Sequence, residues 1–545
     1  MPDATTIFGP PGTGKTTRLA QAIEHASQTF GPDRVIVASL TKTAATEIIN
    51  RGIPVNPENA GTLHAICYRA LGRPKVIDGD RNLIEEFNRM YSRALTPQDV
   101  NPDDLGGEQA DGRTETDLIR EEMNLLRVRM IPRDLWPAHV VDFAEEWDAF
   151  KSFSATIDFT DMIEHGLRDL PVAPGSPGAI FYDEAQDGSA LELALIRQWA
   201  EHTDHTVIAG DDDQALYAWR GASVEAFLGF SERKRYLERS YRLPRLVHAY
   251  AQRWAEQIGV REPKAYQPRE LDGELVERPY LLRYPEQWIT GVESLLDAGK
   301  SVMLLATCRY MLSPLVALLK KRGLPFHNPY RLHAGDWNPL GGSHGVGPGQ
   351  RLLAYAKLAA GGNSPWTWTE LHRWTDPLRA EVLSHGAKAR LAERSKDPEI
   401  APYGVVRELL GPDALAAAMR GDLEWYERSL LASKQRSLVF PLRAATVHGI
   451  PALRKHMSEV QGHPGKGLIV GTVHSVKGGE ADVVYLWPDL SPAAMEEWYD
   501  SRRRDTVLRT LYVGITRARE AVVLCEPGSG MAAVWLPVEV ASAAA

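Results

Sequence analysis

The sequence predicts an α/β fold of two parallel sheets, each interrupted by a mostly helical insert. Three observations predict it. Short apolar runs alternate with stretches of helical periodicity, the pattern of a parallel sheet covered on both faces. A Gly-rich loop joins the first such run to the first helix. The alternation breaks off twice into polar, helical stretches and resumes after each. For 545 residues, at about 150 residues per domain, three to four domains are expected.

Taken in order, Thr5-Thr6-Ile7-Phe8 reads as the first strand, followed by the Gly-rich loop and a helix from Lys15. Arg34-Val35-Ile36-Val37-Ala38 is the second strand and leads into a helix over Thr43 to Asn50. Gly178-Ala179-Ile180-Phe181-Tyr182 and Thr206-Val207-Ile208-Ala209 are further strands, each ending in acidic residues. Sheets of this kind place ligands at the carboxyl ends of their strands, where these loops sit. A second α/β region holds a strand at Ser301 to Ala306 and a helix from Tyr310 to Arg322. It resumes late with Gly467 to Val470, Val483 to Leu486 and Ala521 to Leu524. The expected domains are 1-73 with 147-228, carrying the insert 74-146, and 229-330 with 466-545, carrying the insert 331-465.

Composition narrows the class. A hydrophobic fraction of 44% and a charged fraction of 24% are ordinary for a globular chain. The start, Met1-Pro2-Asp3-Ala4, lacks the features of a signal peptide, and no apolar run approaches the ~18 residues that cross a bilayer. Cys67, Cys308 and Cys525 have no metal-like spacing, which fits a reduced, cytoplasmic compartment and no membrane. A net charge of -9 leaves a nucleic-acid partner to be argued from local motifs, because phosphate contacts need only a local basic groove.

Gly9-Pro10-Pro11-Gly12-Thr13-Gly14-Lys15-Thr16, with Thr17 beyond it, matches the phosphate-cradling pattern G-x-x-x-x-G-K-[ST]. Its glycines let backbone N–H groups curl round phosphate oxygens, and the helix that follows directs its positive end at them. Lys15 would neutralise the outer phosphates of ATP, and Thr16 would ligate Mg2+. Asp183-Glu184-Ala185-Gln186-Asp187 follows an apolar strand as a magnesium-binding acidic loop does. Asp183 is the expected metal partner, and Glu184 the base that orients and deprotonates water. Arg242 and Arg517 are candidate cations for charge on the transferred phosphoryl group.

Together these motifs resemble the UvrD/Rep-type branch of superfamily 1 DNA helicases. Ser39 to Glu47, with Thr41 and Lys42, is similar to the family's first DNA-contact motif, and Gly61-Thr62-Leu63-His64 to the next. Ile157 to Met162 is similar to the segment leading towards the acidic loop. The most specific string is Gly210 to Ala222, which contains Gln214, Tyr217, Trp219 and Arg220. The resemblance implies that Gln214 senses the terminal phosphate while Tyr217 and Trp219 stack on bases. Leu237 to Arg242 is similar to the motif whose tyrosine, here Tyr241, stacks on adenine and whose arginine, Arg242, reaches the phosphates. Thr472 to Glu480 is similar to the motif linking DNA backbone to ribose, with Thr472, His474 and Lys477 on the DNA side and Glu480 on the nucleotide side. Leu511 to Arg519 is similar to the last motif, in which Arg517 is an arginine finger.

What the resemblance implies is a pair of RecA-like P-loop motor domains that use ATP and Mg2+ to move along single-stranded DNA, 3′ to 5′. Single/double-strand junctions are the expected substrate and replication or repair proteins the expected partners. The implied geometry sets ATP between two sheets, with the P-loop on one and both arginines on the other.

Several residues depart from the family pattern. Only eight residues precede Gly9, so the adenine-reading glutamine upstream is expected to be missing, and with it strict ATP preference. Leu40 stands for a base-contacting Phe, Ser240 for Asn, and Gly479 and Ala481 for Leu and Phe. With only a short tail after Arg519, no nuclease or further C-terminal module is expected. The Pro-Pro P-loop is similar to the other superfamily 1 branch, so a 5′-to-3′ or RNA helicase stands as an alternative. A translocase that strips proteins from DNA without processive unwinding is another. In the second insert, Trp337, Trp366, Trp368 and Trp374 with Lys388, Arg390, Arg394 and Lys396 read as core aromatics and a solvated helix face, with a duplex-binding surface as the rival reading.

Overall fold

The computed structural model describes residues 4–40, 52, 54–97, 113–330, 337–341, 346–359, 365–462 and 466–538. The chain forms two compact units, Met1–Glu274 with Glu496–Thr516, and Leu275–Met495 with Arg517–Ala545.

The first unit is built on a six-stranded sheet in the order β3-β2-β4-β5-β1-β6, all its paired strands parallel. These are β1 Ala4–Phe8, β2 Val35–Ser39, β3 Ala60–Gly61, β4 Ala179–Asp183, β5 His205–Gly210 and β6 Arg233–Tyr236. The central strands are near-continuous apolar runs buried along their length, as a sheet covered on both faces requires. Because the strands are parallel and in register (Ser39 opposite Asp183, Phe8 opposite Gly210), the loops leaving β1, β4 and β5 emerge along one edge. Helix Lys15–Phe30 packs Leu19, Ile23 and Ala26 on one side, against Val35, Val37, Ala179 and Phe181. The other side is a larger core around Phe8, Ile180, Tyr182, Leu195, Trp199 and Phe227.

Two boundaries differ from the sequence reading. The first insert does not close at 146: helix Ala138–Ser154 runs unbroken across that point. It closes where Val76 bridges Ile157. Its helices, Arg81–Tyr91, Glu115–Val128 and Ala138–Ser154, share a separate core in which Phe87 meets Phe143, Trp147 and Phe150 edge-on. The 228/229 boundary falls short of β6, which pairs with β1 and so belongs to the first sheet. Helix Arg504–Ile515 also packs with the first unit, not the second.

The second unit has a five-stranded sheet in the order β7-β11-β10-β8-β9. Its strands are β7 Glu274–Arg278, β8 Val302–Ala306, β9 Leu468–Thr472, β10 Ala481–Leu486 and β11 Ala518–Cys525. One hydrophobic core runs from this sheet into the second insert, joining Leu304 and Val470 to Tyr355, Trp366, Trp374 and Tyr426. Trp337, Trp366, Trp368 and Trp374 are buried, and Trp425 is partly buried. Of the basic residues, Lys388 donates to the Asp376 carbonyl, Arg390 pairs with Glu408, and Arg394 pairs with Asp397 and lies 4.0 Å over the Trp368 ring. The four buried tryptophans are core, as the composition favours, and Arg390 and Arg394 are surface ion-pair partners.

Candidate nucleotide site and the loops around it

The P-loop follows β1 and is anchored to β5 by the Gly9 N–H, which donates to the Gly210 carbonyl at 2.9 Å. Gly12 and Gly14 have φ of 72° and 75°, the left-handed region that side chains resist. At Gly12 space forbids a side chain as well, because a Cβ there would overlap Arg242 and lie 3.0 Å from the Arg242 backbone N. Thr13 turns its hydroxyl onto the Pro10 carbonyl at 2.8 Å, closing the loop on itself. Thr16 is partly buried and Thr17 exposed in the first turn of the helix.

Lys15 projects from that turn to the end of β4. Its Nζ donates to Glu184 Oε1 at 2.6 Å and lies 3.8 Å from Asp183 Oδ1. Burial opposes its charge, but Glu184, Asp183 and Asp211 outweigh burial and hold the ammonium above its ordinary range. Asp183 is buried, and its Oδ1 accepts the Glu184 N–H at 2.9 Å. Glu184 has φ 55°, a conformation non-glycine residues rarely adopt, where β4 turns into the acidic loop.

Gln186 ties this loop to the next one. Fully buried, it donates to Glu184 Oε2 at 2.6 Å and Asp187 Oδ2 at 3.0 Å, and its Oε1 accepts the Asp211 N–H at 3.0 Å. Gln214 in turn donates to Asp211 Oδ2 at 2.6 Å. Thus Lys15, Glu184, Gln186, Asp211 and Gln214 form one hydrogen-bonded chain across the ends of β1, β4 and β5. Sequence reading gave Gln186 no role. Its place in a motif between two acids was the available signal.

Downstream of Gln214 the two aromatics separate. Tyr217 is buried, contrary to the expectation that it offers a base a face, whereas Trp219 is 46% exposed with Arg220 over its ring at 5.9 Å. The short turn Ala218–Arg220 is held by the Arg129 guanidinium, which donates to the Ala218 carbonyl. Thr62 caps helix Leu63–Ala70 by accepting the Ala65 N–H. His64 lies 3.8 Å from Glu192, and burial first, with Arg220 adding to it, lowers its pKa. Thr41 and Lys42 lie outside the described residues.

Arg242 was expected on the second sheet, yet it belongs to the first unit. The chain reaches it directly from β6, the neighbour of β1, so this segment emerges beside the P-loop by topology. Ser240 donates its hydroxyl to the Pro11 carbonyl at 2.7 Å, the Tyr241 N–H donates to the Gly12 carbonyl at 2.8 Å, and the Tyr241 ring is 68% exposed. The Arg242 guanidinium donates to the Thr516 carbonyl at 3.4 Å.

In the second unit, Thr472 ends β9 and its Oγ1 accepts the Ser475 N–H, opening the short turn His474–Val476 that leads to Lys477. A Cβ at Gly479 would overlap the Tyr330 ring, so the tyrosine occupies the room a larger family residue would need. Arg517 is buried and donates to the Gly479 carbonyl at 3.2 Å, and its own carbonyl accepts from Ala481. Glu480 pairs with Arg519 at 3.4 Å.

A parallel sheet with a left-handed, Gly-built phosphate loop after its first strand, and an acidic pair at the end of a neighbouring strand, defines a P-loop α/β protein. The chain belongs to the UvrD/REP helicase family: residues 3–235 match its UvrD/REP helicase N-terminal domain, and residues 467–525 match the UvrD-like helicase C-terminal domain. Among curated relatives, "ATP-dependent DNA helicase PcrA" of Leuconostoc citreum is 26% identical over 42% of this chain and 33% of its own length. The PcrA of Bacillus subtilis is 24% identical over 46% of this chain and 37% of its own. "ATP-dependent DNA helicase UvrD2" of Mycobacterium tuberculosis is 25% identical, with 94% of this chain and 75% of the relative covered. The chain therefore spans well under two thirds of the PcrA proteins it matches. No helix among the described residues is long and apolar enough to cross a membrane.

Proposed function

We propose that the chain is an ATP-dependent DNA helicase that translocates 3′ to 5′ on single-stranded DNA and opens duplexes at single/double-strand junctions. The loop from Gly210 to Ala222 is the observation that carries this reading. Its first half is bonded into the chain that ends at Lys15, and its second half exposes Trp219 beside Arg220. One backbone segment thus joins a phosphate-facing glutamine to a stacking platform. Base–aromatic stacking of about 1–3 kcal/mol is indifferent to sequence, which suits a motor.

The residues take these roles. Lys15 exchanges Glu184 for the outer phosphates of ATP, which releases the Glu184 carboxylate to accept a proton from the attacking water. Gln214 contacts the terminal phosphate, Tyr241 stacks on the base, and Arg242 and Arg517 neutralise charge on the transferred group. Thr62, His64, Trp219, Arg220, Thr472, His474 and Lys477 contact DNA, and Glu480 the ribose. A magnesium ion arriving with ATP draws most of its ligands from phosphate and water. Asp183 and Thr16 fit that modest demand, and no cluster of three or more acidic, His or Cys side chains among the described residues offers a cage. When bound, the ion neutralises phosphate charge. DNA replication or repair is the setting this reading gives, with proteins of those processes as partners.

The test is ATP turnover with and without single strands, together with unwinding of duplexes tailed at either end. Expected are DNA-stimulated hydrolysis and unwinding from a 3′ tail. Equal turnover without DNA overturns the reading. Stimulation by RNA alone, or unwinding from a 5′ tail, moves it to the other branch, and roadblock displacement with intact duplex makes the chain a remodelling translocase.

A further inference from the structure

Asp211, Asp212 and Asp213 follow β5 consecutively, and all three are buried to within 1%. Adjacent carboxylates cannot be buried without cations to answer them. The answer comes from a stretch that carries none of the recognised motifs. Lys264 Nζ lies 3.2 Å from Asp211 Oδ1, 2.5 Å from Asp212 Oδ1 and 3.0 Å from Asp213 Oδ2, so one ammonium stands within ion-pair distance of all three carboxylates. Arg261 takes Asp213 with two bonds, at 2.9 and 2.8 Å, and the Glu262 N–H donates to Asp212 Oδ2 at 2.8 Å.

We propose that Lys264 is a positioning residue for DNA-stimulated ATP turnover, because it fixes Asp211, through which both Gln214 and the Lys15–Glu184 pair are held. This rests on the helicase reading and adds to it. Asp211 is the branch point: Oδ2 accepts from Gln214, the N–H donates to Gln186, and Gln186 holds Glu184. Lys264 is buried against the three aspartates and acts only through that carboxylate. Burial raises the Asp211 pKa and Lys264 opposes the rise, so the charge of the branch point depends on the lysine. Three carboxylates against Lys264 and Arg261 leave one net negative charge, which a neutral residue at 264 doubles.

Two variants separate positioning from mere support of the fold. Lys264→Arg keeps the charge, and Lys264→Met combined with Asp212→Asn restores the native charge balance while removing the tether on Asp211. Turnover is measured with and without oligo-dT, alongside thermal unfolding and binding of a fluorescent ATP analogue. The double variant is expected to unfold at the wild-type temperature and bind analogue within about twofold. Its stimulation by oligo-dT is expected to fall on the order of 10- to 100-fold, the scale of an ångström-level displacement, with partial rescue in Lys264→Arg. A folded double variant that keeps full stimulation overturns the proposal. So does one that cannot fold, since the cluster would then serve the fold alone. If the wild-type protein shows no stimulation, it is the helicase reading that fails.

Discussion

Lys15 and Glu184 are 2.6 Å apart, and the pairing makes each a control on the other. The ammonium that should meet phosphate meanwhile occupies the carboxylate that should take the water proton. Replacing Lys15 by Ala removes the cation from a pocket that keeps Asp183 and Glu184. Hydrolysis is then expected to fall about 10²–10³-fold, as when one stabilising donor is lost from a preorganised site. Glu184→Gln keeps an acceptor for Lys15 but no proton acceptor for water. It should retain analogue binding and lose about 10²–10⁴ in kcat, read by phosphate release. An unchanged kcat in Glu184→Gln would remove that residue from the base role. At this scale placement was legible for Lys15, Asp183, Glu184 and Gln214, gathered at the ends of β1, β4 and β5, because a motif fixes residue type and spacing there. It was not legible for Lys264, where the only sequence clue is that three aspartates after an apolar strand demand a distant cation. Nor was it for Tyr217, since an aromatic in a loop reads alike whether it faces solvent or core.

At the scale of elements, the buried strands β1, β2, β4, β5, β8, β9, β10 and β11 were readable because continuous apolar runs belong in a sheet covered on both faces. The charged edge strands β6 and β7 were not. β6 is Arg-Lys-Arg-Tyr and β7 Glu-Leu-Val-Glu-Arg, which hide their pairing behind the charge that edges carry. Missing β6 is also what put Arg242 on the wrong sheet. The stretch Ala432–Gly462, two helices joined across a break at Gly449 (φ 84°), supplies a test of its own. His456 on it faces His327, ring centroids 5.6 Å apart, and burial first, then His327, pushes its pKa down to about 3. A histidine depressed in the fold keeps the native state uncharged while the unfolded chain gains a proton below about pH 6.5. Stability should therefore fall as pH drops below 6.5, by up to about 2 kcal/mol at pH 5 from this group. Asp78 and Asp212, pushed up to about 6 chiefly by burial, act in the opposite sense, so the comparison must be with a variant. His456→Leu should lose less stability than wild type between pH 7.5 and pH 5 in urea unfolding. Equal losses would exclude the residue as the acid-sensitive group.

For the whole molecule, the consequential fact is that neither compact unit is one stretch of chain. The first is completed by Glu496–Thr516, after the chain has already built most of the second. Helix Arg504–Ile515 is fastened there by specific bonds. Asp505 accepts the Gly259 and Val260 N–H groups, both at 2.9 Å, and buried Arg509 donates to the Asp212 carbonyl at 2.9 Å and the Val260 carbonyl at 2.5 Å. Tyr512 packs its hydroxyl 3.3 Å from that of Tyr266. The same segment that holds Lys264 and Arg261 is thereby clamped by a helix that continues in sequence to Arg517. Arg509→Ala leaves the buried Asp212 carbonyl and the part-buried Val260 carbonyl without their charged donor, at about 1–3 kcal/mol for the buried one. The loss should appear in the first unit. Limited proteolysis should cut within 256–272 faster than in wild type, while cleavage in the 403–459 helices of the second unit keeps its wild-type rate. Equal acceleration in both regions would mean that the two units unfold as one and that the helix is not a local clasp.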